Sequence, residues 1–354
     1  MAATDFASIQ AALEQRIRNR ITTQYNRSDV MANIIAKDAG QGKNLAWDIT
    51  VGTATGYVMT EGQEITVFNA DTELACTMPW GLYGDSFKIT GLAEDVAAGD
   101  GTQLSRLFDR RLMQARSRAV AKINVDLYSG DGVSTPQNLM GLTASAGPLD
   151  STGTYAGQNR STYSQWGGNV FGNNGVPRAL NLSLIEYALE VTGTASGELP
   201  TYGMTTPSLW RVLCELAGGE DRTNKDAYVN GRKLEKSMGF HSVEINGIPI
   251  FKDVSAVSGI LLLLNDQHLS LQFLPAAPAR VERGKILARV PLAGTPQEQN
   301  MDIGTLPPGG GPLFGNLIRL PANGSYDAWM IEATIQLMSD RSNAHAMIKD
   351  LAVS

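Results

Sequence analysis

The chain has 354 residues, enough for two or three domains, and its 43 % hydrophobic content is that of an ordinary globular protein. A net charge of −6 argues against a sequence-specific DNA binder, whose affinity leans on phosphate neutralisation, and suits a surface that stays soluble at high concentration. The 37 glycines follow no period, which excludes a collagen-like chain, and Cys76 and Cys214 lie too far apart to read as a disulfide framework or a zinc site. Both cysteines are expected to be small buried hydrophobes.

Met1 to Gln10 lack the basic-then-apolar order of a secretory signal. The longest strongly apolar run, Ile260 to Leu264, is far short of the ~20 residues of a membrane helix. The chain is therefore expected to remain in the cytosol or in a particle assembled there. The N-x-[ST] matches at Asn26, Asn159, Asn181 and Asn323 then count as chance.

The first helix candidate begins at Thr4, with Ile9, Leu13, Ile17 and Ile21 at i+4 spacing. Arg16, Arg18, Arg20 and Arg27 make this arm locally basic, and a solvated face is the ordinary reading of such a run. Leu45 to Trp80 change period. Trp47, Ile49 and Val51 alternate with polar neighbours, as do Leu74, Cys76, Met78 and Trp80, so two strands with one apolar face each are expected. Between them stand the Glu61-Gly62 turn and a further alternation at Ile65 and Val67. A hairpin this long is marginal alone and must lie either on its own domain or on a neighbouring copy.

Thr102 to Tyr128 carry the clearest helix. Leu104, Phe108, Leu112, Ala115, Ala119, Ile123 and Leu127 form a stripe, Thr102 is the N-cap, and Gly130 ends the run. At 1.5 Å per residue it spans about 40 Å, long for a globular helix. Arg106, Arg110, Gln114, Arg118 and Lys122 form a largely cationic row. A solvated face is the favoured reading, with acidic groups on a neighbour or packaged DNA as the alternative.

Gly130 to Gly175 are loop-rich. Leu182, Ile185 and Leu189 mark a helix, and Thr206-Pro207 opens another through Leu209, Leu213 and Leu216. Asn246-Gly247 between Val243-Ile245 and Ile248-Ile250 is a type I′ hairpin signal. Ile260 to Leu264 read as a buried strand and Leu269, Leu271 and Phe273 as another, before Gly/Pro-rich sequence resumes at Val290 to Ser325. Trp329, Ile331, Ala333, Ile335 and Leu337 alternate, then a turn at Ser339 to Ser342 leads to Ala344, Ala346 and Ile348. The class is α+β.

Chemistry-bearing patterns are sparse. His241, His268 and His345 have no metal-ligand spacing and read as hydrogen-bonded structural residues. No GxSxG, Walker A or GxGxxG occurs. No catalytic residue, cofactor or metal is expected, and the chain is not read as an enzyme.

In segment order and in several short stretches the sequence resembles the HK97-type major capsid proteins of tailed double-stranded DNA phages. YGDSFKITGLAED (Tyr83 to Asp95), LYSGDG (Leu127 to Gly132) followed by NLMGL (Asn138 to Leu142), and Arg160-Ser161-Thr162 with Trp166 are similar to stretches of that family. So are Gly239-Phe240 with NGIPI (Asn246 to Ile250) and Asp253, and RSNAHAMI (Arg341 to Ile348), read as a closing strand pair. The resemblance implies an N-terminal arm at 1–44, an extended hairpin or E-loop at 45–80, and a peripheral domain at 81–180 with its spine helix at 102–128. It implies an axial domain at 181–274, a return segment at 275–325, and terminal peripheral strands at 326–354. It also implies self-assembly into pentamers and hexamers of an icosahedral head, with Trp47, Tyr57, Met59, Glu61, Glu64, Ile65, Val67 and Phe68 of the E-loop meeting an adjacent subunit.

Implied partners are the chain itself, a separate scaffolding protein, a portal, a decoration or cement protein, and packaged double-stranded DNA held without sequence specificity. No membrane partner is expected. The implied location is the virion, with the host cytoplasm during assembly. Some members cross-link through an E-loop lysine, and since no Lys stands between Asn44 and Phe87, no such cross-link is expected. The alternatives are an encapsulin-like protein shell and, from a different class, a β-rich carbohydrate-active protein suggested by the Gly, Asn, Trp and Tyr content of Tyr155 to Phe171.

Overall fold

A computed structural model of the chain describes residues 29–52, 61–62, 72–91, 101–132, 138–216, 227–229, 232–234, 242–274, 316–320 and 326–353. The chain enters through a short helix, Val30–Ile34 (α1), and a strand, Ala36–Ala39 (β1). The two alternating segments form the expected hairpin, Leu45–Val51 (β2) and Thr72–Met78 (β3). Gly81–Thr90 (β4) is a ten-residue strand, in a stretch for which the sequence reading named no element. The long helix is Gly101–Ser129 (α2), and Ala115, Ala119, Ile123 and Leu127 of its stripe are buried.

The loop-rich join is more structured than its composition suggests. It holds the two-residue strands Thr154–Tyr155 (β5) and Gln158–Asn159 (β6), a 3-10 turn at Ser164–Trp166, and Asn169–Phe171 (β7). Two helices follow, Leu182–Ser196 (α3) and Pro207–Leu216 (α4), with Tyr202–Thr205 (β8) between them. Asn181 caps α3 by accepting from the Leu184 N–H at 2.8 Å, and Gly197, at φ 76°, ends it. Thr206 Oγ1 accepts from the Leu209 N–H at the start of α4, as the Thr-Pro pair predicts. The remaining strands are Ala227–Val229 (β9), Arg232–Leu234 (β10), Ser242–Ile245 (β11), Ile248–Lys252 (β12), Leu261–Leu264 (β13), Leu269–Phe273 (β14), Asn316–Leu320 (β15), Tyr326–Ser339 (β16) and Ala346–Ile348 (β17). Asn246 and Gly247 take φ 50° and 81° in the β11–β12 turn, the two positive angles a type I′ turn needs.

Two larger sheets organise most of these strands, with β2–β3, β5–β6 and β9–β10 as separate two-stranded pairs. In the first, β16 pairs with β4 along one edge and with β15 and β14 along the other, and β1 adds in parallel to β14. The second has the order β11-β12-β8-β13-β17-β7. Both faces of this second sheet are covered, which explains the unbroken apolar run at Leu261 to Leu264. Leu261 and Leu263 join Ile185, Leu189, Leu209 and Leu213 in one core, whereas Leu262 and Leu264 join Ile123 and Leu127 of α2 in the other.

The strand pairing cuts across the segments read from sequence. The β14 strand, placed within the axial segment 181–274, belongs to the sheet of β16. The β17 strand, placed among the terminal peripheral strands of 326–354, lies between β13 and β7. The expected closing strand pair is also absent, because β16 and β17 sit in different sheets. The chain passes between the sheets three times, once through α2 between β4 and β7 and then by two short links at 265–268 and 340–345. Strand pairing is non-local, and contiguity in sequence carries no information about it.

A buried carboxylate joins the parts. Asp253, at the end of β12, accepts from the Met31 N–H at 3.1 Å, Asn124 Nδ2 at 3.0 Å, the Tyr128 hydroxyl at 3.1 Å and the Ser255 N–H at 2.8 Å. Asn124 in turn accepts from the Ala32 N–H at 2.9 Å. One fully buried side chain thus ties α1, α2 and the second sheet together.

Candidate functional site

The hairpin β2–β3 pairs in the register Leu45↔Met78, Trp47↔Cys76 and Ile49↔Leu74. This puts Leu45, Ile49, Leu74, Cys76 and Met78 on one buried face and Ala46, Asp48, Thr50, Glu73, Ala75 and Thr77 on an exposed one. The alternation seen in the sequence is therefore correct in phase. The buried face rests on the chain's own body. Ile49, Leu74, Cys76 and Met78 form a core with Met140, Tyr155, Ala156 and Trp166. Trp47 sits 6.2 Å from Tyr155, which stacks on Trp166 at 5.6 Å. The Thr77 N–H donates to Ala156 O at 3.0 Å, and Gln158 Nε2 donates to Ala75 O at 2.7 Å. Of the two supports the sequence allowed, the root of the hairpin uses its own domain.

Arg160 builds that platform. Its side chain is buried, lies 5.2 Å over the Tyr155 ring, and donates to Trp166 O, Thr152 O and Pro148 O, each at 3.2 Å. Burial pulls its guanidinium down to about 10. The fork of donors suits three carbonyls that a loop folded without regular pairing would otherwise leave unbonded. Arg160→Ala is expected to cost about 3 kcal/mol in denaturant unfolding, from a cavity plus three buried acceptors without donors. Arg160→Lys should recover less than half of that, since one ammonium cannot reach all three carbonyls. Equal stability of wild type and Arg160→Lys would contradict this reading.

Gln336 fixes the hairpin's exit. Its Nε2 donates to Pro79 O at 2.7 Å, and its Oε1 accepts from the Met140 N–H at 3.0 Å, linking β16, the end of β3 and the segment after α2. The Cys76 thiol is buried and free, and burial pushes it up to about 11, so it behaves as the small hydrophobe expected and is unreactive at neutral pH.

The other residues singled out in the sequence divide into three groups. Glu61 is exposed in a turn with Gly62, whose φ is 83°. Tyr57, Met59, Glu64, Ile65, Val67 and Phe68 lie outside the described residues, as do Arg16, Arg18, Arg20 and Arg27 of the arm. In the cationic row of α2, Arg106 lies on the helix but its side chain is outside what is described, and Arg110 is half-buried. Arg118 pairs with Asp85 at 2.7 Å, and Lys122 pairs with Asp126 at 2.8 Å. The acidic partners of these two cations belong to the same chain, on β4 and on α2 itself. Asp126 is also bonded by the Tyr83 hydroxyl at 2.9 Å, so this end of the row anchors α2 to β4.

The roles of two groups, Arg160 and Asp253, escaped the sequence reading, whereas His345 is the hydrogen-bonded structural residue expected. Arg160 and Asp253 were noted within family-like stretches with no role attached. His345 is buried, accepting at Nδ1 from the Asn265 N–H at 3.0 Å and lying at Nε2 3.2 Å from Ser339 Oγ. Each acts across a contact of long sequence separation, or on loop carbonyls, and neither leaves a periodic signal. Among the described residues, no group of three or more His, Cys, Asp or Glu is placed to hold a metal ion, and no helix is long and apolar enough to cross a membrane.

No protein-family model matches the sequence, and no curated protein matches it either. Solved structures do. A capsid subunit of cyanophage A-1(L) superposes with a TM-score of 0.66 at 17 % identity, over 96 % of this chain and 98 % of that one. The capsid protein of Myoviridae phage XM1 gives 0.53 at 9 % identity, over 96 % and 98 %. The SrpI encapsulin of Synechococcus elongatus gives 0.51 at 10 % identity, over 97 % and 95 %. In all three the overlap takes in nearly the whole of both chains. The chain has the HK97-type capsid fold.

Proposed function

We propose that the chain is the major capsid subunit of a tailed double-stranded DNA phage, a structural protein without catalytic activity that assembles into pentamers and hexamers of an icosahedral head. The observation that carries this reading is the whole-chain likeness to the cyanophage capsid subunit, which exceeds the likeness to the encapsulin. The hairpin supports it. Its root is held to the body by a small core, while its outer face is polar and exposed, the arrangement of an arm that projects from a fixed base. Exposed Leu82, Met113, Val176, Tyr187 and Leu199 provide apolar surface for neighbouring copies to bury.

In this reading the distal E-loop lies on an adjacent subunit, and the arm arginines with Arg106 and Arg110 face inward to DNA phosphates without sequence preference. Arg118 and Lys122 chiefly hold the spine helix. A scaffolding protein, a portal and a decoration protein complete the particle, which places the chain in the virion after assembly in the host cytoplasm. Electron microscopy and sedimentation of the purified full chain test the proposal. Capsomers, tubes or closed shells are expected, and a monodisperse monomer at all concentrations would refute it. Shells that form only around protein cargo and never with DNA would move the chain to the encapsulin reading.

A further inference from the structure

The two short links between the sheets, 265–268 and 340–345, meet beside the end of α3, and four charged side chains gather there. His268 lies in the turn before β14, Asp340 and Arg341 follow β16, and Glu198 follows α3. His268 Nδ1 is 2.9 Å from Asp340 Oδ1, and its Nε2 is 2.8 Å from Glu198 Oε2. The other oxygen of Glu198 accepts from Arg341 Nη1 at 2.9 Å, and Arg341 also donates to Ser196 O. Asn265 Nδ2 donates to Glu198 Oε2 at 3.2 Å. The neighbouring charged and titratable groups are Asp266, which accepts from the Thr201 hydroxyl at 2.8 Å, and the buried His345 behind the cluster.

An imidazole with a carboxylate at each nitrogen is fully bonded only when both nitrogens carry hydrogen. A neutral ring turns a lone pair toward one of the two carboxylates, and the cluster then holds two anions against the single cation Arg341. We propose that His268 is a proton-operated latch. As imidazolium it ties the end of α3 to both links, and on losing its proton it releases one carboxylate and loosens α3 from the β16–β17 passage. The Glu198 carboxyl is held below its usual range, first by the His268 hydrogen bond and further by the His268 and Arg341 charges. The inference rests on the fold alone and is independent of assembly.

Hydrogen exchange of the full chain tests it. Amide protection at 196–201, 265–269 and 339–343 is compared at about pH 5.5 and about pH 8, after correction for intrinsic rates. In the wild type, exchange in these segments is expected to rise roughly tenfold at the higher pH as one charge-assisted bond is lost. His268→Gln should abolish the step. Asp340→Asn should also abolish it but keep the segments protected at both pH values. There the amide donates to a neutral Nδ1, while Nε2–H still bonds Glu198. Should His268→Gln fail to fold, Asp340→Asn alone decides. Equal protection of the wild type at both pH values, or a pH step surviving in Asp340→Asn, overturns the latch. So does a step of opposite sign, with less protection in acid, because that is the behaviour expected of His345.

Discussion

Lowering the pH from about 7 to about 5 destabilises the wild-type chain by roughly 2 kcal/mol more than it does a His345→Gln variant, as read by urea unfolding. His345 is fully buried in the link between β16 and β17. Burial is the main cause, and the nearby His268 charge a lesser one, of a fall in its pKa from 6.5 to about 3. The bonding agrees, because Nδ1 accepts the Asn265 N–H and a second proton there would set two donors against each other. In the unfolded chain the ring takes up its proton near pH 6.5, whereas in the folded chain it does not until about pH 3. Stability from the neutral ring is therefore complete above about pH 6.5 and is lost as the pH falls toward 3. Glutamine keeps a donor toward Ser339 and cannot titrate, so its curve should be flatter over this range even if its baseline stability is lower. Parallel curves for the two proteins would refute the assignment. This dependence is opposite in sign to that of the His268 latch. The first is read from global unfolding, and the second from local exchange at the short links.

Asp253→Ala is expected to cost about 3–5 kcal/mol, a large share of the stability of an ordinary domain. The substitution strips the acceptor from Asn124, the Tyr128 hydroxyl and the Met31 and Ser255 amides inside a site closed to water. Tyr128→Phe removes one donor and leaves the other three bonds, so it should cost only about 1 kcal/mol. The double variant Asp253→Ala with Tyr128→Phe should cost less than the sum of the two, because the second change removes a group that the first has orphaned. Urea unfolding of the unassembled chain measures all three. Strict additivity, or an Asp253→Ala cost below 1 kcal/mol, would show that the hub carries little of the stability. The consequence for the fold is specific, since α1 reaches the body through this carboxylate and through Asn124.

Much of the local structure was legible because it is written in periods. The i+3/i+4 stripe from Phe108 to Leu127 gave α2 to within a residue at each end. Strict alternation at Trp47 to Val51 and Leu74 to Met78 gave both strands and the buried face of the hairpin. Thr206-Pro207 and Asn246-Gly247 gave a helix start and a hairpin turn, since each pair fixes backbone angles on its own. The β4 strand was missed although Tyr83, Phe87 and Ile89 are buried at alternate positions. Gly81, Gly84 and Asp85 weaken the alternation, and the strand is held instead by ten paired positions along β16. Residues 146–168 read as loop for a similar reason. Arg160 and a stack of aromatic rings order them, and no repeat announces either.

The sequence by itself determined which segments are helix and strand, which face of each is apolar, and, through the order of short family-like stretches, the HK97-type fold. Tertiary structure alone decided that two short links carry the chain between the sheets, so that β14 and β17 lie in sheets their positions do not suggest. It alone brought Asp253 to α2, Arg160 under the hairpin, and His268 between two carboxylates. The physical reason is range. Periodicity and turn chemistry act through neighbours within a few residues, whereas Asp253, His268 and the strands β14 and β17 are satisfied by groups far along the chain, chosen only when the whole core closes.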